Sequence, residues 1–267
     1  MSRATGLDHV ALAVADLGAA AAAWQALGFA LTPLARHLDD AGQPTGTANR
    51  CAMLRRGYVE LLAVVDPARP SRTLADFIAR YEGAHIISLA VDDAAAAQAR
   101  LARAGLTADL AATSRPAESG TARFERLPLP GTTPRLQLIR HLTPELVWRP
   151  ADVVHPNHAA ALDEVVIAAD PPAELAALLS RLAGVPVLPD PVGGYALALA
   201  TGRVRVLPPN ALGQVFPGLA IPSLPFVAGV VIRTDDGNAT VTALGIGRPT
   251  ADGIMAQAAG TAVLFRG

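Results

Sequence analysis

Four polar residues stand in runs of sequence that are otherwise apolar. His9 shares an alternating segment with Leu7, Ala11 and Ala13; Glu60 lies between Val59 and Leu61; His85 precedes Ile86 and Ile87; and Gln137 lies between Leu136 and Leu138. Burying an unpaired imidazole or carboxylate in such a run is costly, so partners are expected for each. The spacings match: 60 − 9 = 51 and 137 − 85 = 52. Each of two segments therefore opens on a His and closes on an oxygen-bearing side chain. Two imidazoles, a carboxylate and an amide oxygen are a donor set for a divalent ion. Imidazole is a borderline ligand and suits Zn, Ni, Mn or Fe(II) better than Ca or Mg. Positions left open would take water or a small-molecule substrate, as a catalytic metal requires. Taken singly, each residue also reads as a hydrogen-bonded core His or a carboxylate paired with Arg; the repeated offset favours the joint reading.

The elements that hold these residues repeat. Leu7 to Val14, His85 to Val91 and Val165 to Ala169 are strand-like, and each is followed by an Asp and then an Ala-rich or Ala/Leu-rich run ending at a Gly. Asp16, Asp93 and Asp170 fit helix N-caps, and Gly28, Gly105 and Gly184 fit the left-handed position after a helix. The Asp residues are evenly spaced, 93 − 16 = 77 and 170 − 93 = 77. A weaker fourth copy starts near Val230 to Thr234 and has a brief helix. Short strand-like runs follow each helix, among them Arg50 to Leu54, Tyr58 to Val65, Ala122 to Leu127 and Arg135 to Arg140. The expectation is an α+β chain of four βαβββ modules in two pairs. Pro144, Pro150 and Pro156 mark the boundary between residues 1–145 and 146–267.

Composition narrows the chemistry. The chain has 267 residues, 51% hydrophobic and 17% charged, with a formal net charge of −1. There is no Lys, which removes Schiff-base and P-loop lysine chemistry and any electrostatic case for nucleic acid. The single Cys51 can form no internal disulfide, which fits a reducing cytoplasm. No signal core and no membrane-length apolar run is present.

The strings Leu7-Asp8-His9-Val10-Ala11-Leu12-Ala13-Val14, Gly46-Thr47-Ala48-Asn49-Arg50 and Tyr58-Val59-Glu60-Leu61-Leu62 resemble the vicinal oxygen chelate superfamily, in particular its glyoxalase-like members. Gly83-Ala84-His85-Ile86, Arg135-Leu136-Gln137-Leu138-Ile139 and His155-Pro156-Asn157 extend the resemblance. It implies that each pair of βαβββ modules curls into a cup-shaped, mostly antiparallel sheet flanked by helices and holding a metal, with the ligand positions at His9, Glu60, His85 and Gln137. It also implies departures. The glutamate that moves the substrate proton in glyoxalase I enzymes, and that ligates in extradiol dioxygenases, is replaced here by Gln137, which cannot act as a base. Glu60 is then the expected ligand, and the expected catalytic base if it leaves the metal. In the second pair Glu164 replaces His9 and Arg205 replaces Glu60, and that half is expected to hold no metal, with a Glu164–Arg205 ion pair in its place.

Asn49, Arg50, Phe124 and Arg126 are the candidate substrate-binding residues; Arg50 would take an anionic or carbonyl group. Trp148 is expected to staple the halves. The reading that follows is a metal-dependent enzyme acting on a small substrate chelated through adjacent oxygens, a lyase or isomerase. The alternatives are an extradiol-type dioxygenase, or a binding or resistance protein of the bleomycin-resistance kind that uses the same cleft without chemistry. With four modules in one chain, a monomer and a homodimer are both open.

Overall fold

A computed structural model describes residues 2–39, 42–117 and 119–267. The first module is β1 (Gly6–Ala13), α1 (Leu17–Ala26), β2 (Ala35–Leu38), β3 (Pro44–Met53) and β4 (Tyr58–Val64). After α2 (Arg72–Arg80) the second module repeats the order as β5 (Gly83–Ala90), α3 (Ala94–Arg103), β6 (Ala111–Ala117), β7 (Gly120–Leu129) and β8 (Arg135–His141). The third is β9 (Ala159–Ala168), α4 (Pro172–Ala183), β10 (Leu188–Pro189), β11 (Tyr195–Ala198) and β12 (Arg203–Leu207). After α5 (Leu212–Val215) the fourth is β13 (Phe226–Thr234), α6 (Ala239–Ala243), β14 (Arg248–Thr250), β15 (Gly253–Ala258) and β16 (Thr261–Arg266).

The four βαβββ modules expected from the spacing are present, including the brief fourth helix. Asp16 and Asp93 cap α1 and α3 through their side chains, on the N–H groups of Ala19 and Ala96. Asp170 does not cap α4: the cap position is Pro171, which has no side chain to accept a bond, and Pro172 opens the helix where a missing N–H costs little. Gly184 ends α4 at φ 74°, in the left-handed region that favours glycine.

Within each pair the strand order is the same. The first pair runs β2-β3-β4-β1-β5-β8-β7-β6 and the second β10-β11-β12-β9-β13-β16-β15-β14. The strands at each centre, β1 with β5 and β9 with β13, are antiparallel; each also pairs in parallel with the last strand of its own module. The two sheets join where Val227 of β13 meets Ala84 of β5. One core runs under both, from Leu7, Trp24 and Leu89 to Val165, Leu179 and Phe265.

Two bulges decide which side chains enter the cup. Along β1 and β5, Leu7 faces Leu89 and His9 faces Ser88, so Asp8 is an extra residue; further on Ala11 faces Ile86 and Leu12 faces Ala84, so His85 is an extra residue. The second pair carries the same bulges, at Asp163 and Ala228.

Candidate functional site

The first pair encloses a cavity of about 520 Å³. Its lining includes His9 of β1, His37 of β2, Asn49 of β3, Tyr58 and Glu60 of β4, Ile86 of β5, Arg115 of β6, Phe124 and Arg126 of β7, and Arg135 and Gln137 of β8. The apolar residues between them in sequence point to the helix layer, since successive side chains alternate faces.

His9 is held on both ring nitrogens. Its Nδ1–H donates to Asp8 Oδ1 at 2.6 Å, and its Nε2 lies 2.8 Å from the Ser88 hydroxyl. Gln137 Nε2 donates to the same Ser88 oxygen at 2.6 Å. Asp8 also accepts from His141 Nε2 at 3.0 Å. Burial works to raise the Asp8 carboxyl, but hydrogen bonds from His141 and His9 outweigh it and bring it down to about 2. An ionised Asp8 can only accept, so in the neutral ring the His9 proton sits on Nδ1 and Nε2 accepts from the Ser88 hydroxyl. Tyr58 stacks on the His9 ring at 4.4 Å.

Glu60 lies between two imidazoles: His9 Nε2 is 3.9 Å from one of its oxygens and His37 Nε2 is 3.9 Å from the other. Asn49 Nδ2 donates to Glu60, while Asn49 Oδ1 is buried without a partner among the described residues. Burial again pushes the carboxyl up, and His9, His37, Asn49 and Arg115 together bring it below the ordinary value. Burial lowers His37, whose Nδ1 is 3.0 Å from Thr47 Oγ1.

Of the four expected ligands, His9, Glu60 and Gln137 meet in the cup and His85 does not. Sitting in its bulge, His85 is stacked between Phe77 at 4.7 Å and Tyr81 at 4.0 Å, and its Nε2 donates to Tyr81 O at 2.8 Å. Ile86 faces the cup instead. Of the four expected binding residues, Asn49, Phe124 and Arg126 line the cavity. Arg50 points to the other face of β3, where its Nε donates to Thr32 O at 2.9 Å. His37, Arg115 and Arg135 line the cup without having been singled out by sequence. Trp148, expected to staple the halves, packs on the first pair instead: it donates to Leu54 O at 3.1 Å, and its ring meets Tyr58 at 5.9 Å and His141 at 4.7 Å.

These residues do not fit the divalent ion implied by the resemblance. One ligand position is the hydrocarbon Ile86, and the Gln137 amide nitrogen is turned to Ser88. Among the described residues, no three His, Cys, Asp or Glu side chains are grouped so as to hold an ion.

In the second pair, Arg205 is buried at the position of Glu60. It makes a two-pronged pair with Asp190, 2.7 Å on each prong, and a 3.4 Å contact to Glu164, which stands at the position of His9. The expected Glu164–Arg205 pair is present, but Asp190 is the closer partner of Arg205; Glu164 is bound more tightly by Arg203, at 2.6 Å, and by Arg266.

Paired βαβββ modules around a cup, with His and Glu on adjacent strands, define the vicinal oxygen chelate class of protein. The model of the Glyoxalase-like domain matches residues 7–183, more than half of the chain, and the chain belongs to that family. A hypothetical protein from Staphylococcus aureus has a similar structure at 10% identity and TM-score 0.72, over 100% of this chain and 99% of that one. So has a variant of 4-hydroxymandelate synthase from Streptomyces coelicolor, at 15% identity and TM-score 0.60, over 92% of this chain and 76% of that one. The Mn(II)-bound glyoxalase from Novosphingobium aromaticivorans aligns at 15% identity and TM-score 0.57, over 99% of this chain and 82% of that one. At these identities the likeness concerns the fold. No curated protein matches the sequence. No helix is long and apolar enough to cross a membrane.

Proposed function

We infer that the cup of the first pair is an enzyme site that moves a proton on a small substrate, at a carbon next to a carbonyl. The observation that carries this reading is the His9 imidazole on the cavity wall, held on Nδ1 by Asp8 and with its Nε2 3.9 Å from an ionised Glu60. His9 is the base. Its Nε2 takes the proton, the Ser88 hydroxyl giving up that lone pair to the substrate C–H. The imidazolium formed lies between two carboxylates, Asp8 and Glu60, which supply its counter-charge. Glu60, held below the ordinary carboxylate value, is a poor base and a good counter-charge, so this reading moves the base from Glu60 to His9. Returning the proton to the neighbouring atom completes an isomerisation; loss of a leaving group there would complete a lyase reaction. The unpaired, buried Cys51 supports a cytoplasmic setting.

The metal-dependent lyase or dioxygenase expected from sequence has less support, because Ile86 and the Ser88-bound Gln137 leave the donor set short. The same two residues favour, as a second reading, a cleft that binds without chemistry. Incubating 2-oxo and 2-hydroxy acids with the protein in D2O, followed by NMR, separates the readings. Exchange at the carbon beside the carbonyl that is lost in His9→Ala and falls at least about tenfold in Glu60→Gln supports the first. Exchange that survives His9→Ala sinks it, and saturable binding with no exchange supports the second.

A further inference from the structure

The strand register identifies the counterpart of His9 in the second module. Ala11 pairs with Glu60 across β1 and β4, and Ser88 pairs with Gln137 across β5 and β8. Two residues back along each first strand stand His9 and Ile86. Their offsets agree, 60 − 9 = 51 and 137 − 86 = 51. A position that would supply an imidazole therefore supplies a hydrocarbon.

The second pair shows what this chain does with the same geometry. There the register gives Glu164, Arg205, Gly229 and Leu264 as the counterparts of His9, Glu60, Ile86 and Gln137. The cation at its centre is the buried guanidinium of Arg205, already saturated by Asp190 and Glu164. The counter-charge there comes from the chain's own carboxylates.

The first cup has guanidiniums on its wall instead. Arg115, Arg126 and Arg135 line it, and Glu60 is the one carboxylate among its described lining residues. Arg115 lies over the Phe124 ring at 5.7 Å, close enough to Glu60 to help keep it ionised. A planar guanidinium offers paired donors that match a carboxylate or phosphate edge. Such a wall, facing a base at His9, leaves room for negative charge on a ligand.

We propose that the first cup binds a small oxyanion on Arg115 and Arg135, these guanidiniums supplying the positive charge that a metal ion would otherwise supply. The proposal rests on the proton-transfer reading for its use, but its test reads binding alone, so either can fail without the other. The protein is passed over a chelating resin, and the binding of oxalate and of inorganic phosphate is followed by calorimetry. Metal uptake is followed separately through the visible spectrum of added Co(II).

The expected result is oxalate or phosphate binding by metal-free protein, weakened at least about tenfold in Arg115→Met and in Arg135→Met. Saturation by oxalate alone assigns a carboxylate ligand, and by phosphate alone a phosphate. Wild type takes up no stoichiometric Co(II), whereas the double variant Ile86→His with Gln137→Glu gains a Co(II) spectrum because it restores the missing donors. Ile86→His alone serves if the double variant does not fold. One equivalent of Co(II) bound by wild type, with anion binding that appears only once metal is added, overturns the proposal. So does anion binding that both arginine variants retain.

Discussion

Asp8 and His9 are consecutive residues of one strand, yet the Asp8 carboxylate accepts a 2.6 Å hydrogen bond from the His9 ring. Regular alternation would send the two side chains to opposite faces. The bulge at Asp8 removes that constraint. Asp8 thereby fixes which His9 nitrogen carries the proton, and His141, 133 residues away in sequence, holds Asp8 in turn.

Replacing Asp8 by Asn should therefore cost stability in a pH-dependent way. Burial raises the Asp8 carboxyl, His141 and His9 lower it further, and it stands at about 2 against an ordinary 3.8. A folded-state value below the unfolded one stabilises fully above the unfolded value and is lost as pH falls through the folded one. The difference corresponds to about 2 kcal/mol. Urea melts of wild type and Asp8→Asn should show that advantage at neutral pH and its narrowing from pH 3.8 toward 2. A constant gap across that range would mean that Asp8 acts by packing alone.

The second pair's network invites a different substitution. Arg205 is the two-pronged partner of Asp190, while Glu164 keeps Arg203 and Arg266 if Arg205 is lost. Arg205→Met should strand Asp190 and cost about 3 kcal/mol, the scale for breaking a buried pair. Arg203, whose side chain is 43% exposed, should cost under about 1 kcal/mol when changed to Met. Equal effects of the two in chemical denaturation would show that burial of the guanidinium carries no special weight.

Much of this architecture is legible in the sequence because it depends on local rules. Asp16 and Asp93 announce helices, Gly184 ends one, and the interval of 77 residues betrays the modules. The site is less legible because it depends on register. A strand's side chains alternate, so a slip of one residue exchanges the two faces. Offsets of 51 and 52 look equivalent on paper, but one selects Ile86 and the other His85. Nothing in the string Gly83-Ala84-His85-Ile86 reveals the bulge that separates them. His37 gives no signal in the sequence because its partner Glu60 lies on β4, with β3 between them. Equal offsets, taken strictly, would have found Ile86.

Cys51 should be silent toward thiol reagents. Its thiol is fully buried, and burial, reinforced by Glu60, pushes it up to about 12. The thiolate is the reactive form, so at pH 8 almost none is present. Mixing native protein with a chromogenic disulfide should give no colour over hours, and one thiol per chain after addition of urea. Rapid labelling of the native protein would mean that the cup opens far enough to expose β3.

Cutting the chain after Thr143 should not yield a working first pair. His155 donates to Met53 O at 2.6 Å, Asn157 to Leu27 O at 2.8 Å, and Phe265 stacks on Phe29 at 5.7 Å. From the other side, Arg100 donates to Arg181 O at 2.7 Å and to Leu182 O at 2.5 Å. The cut removes these partners, exposes the β5 edge at Ala84 and splits a core shared by both halves. Arg100, 8% exposed in the whole chain, would be left with two fewer acceptors. The fragment should bind hydrophobic dye and aggregate, with no cooperative melt. A soluble fragment that melts cooperatively and still binds oxalate would show the opposite: that the second pair is dispensable to the first.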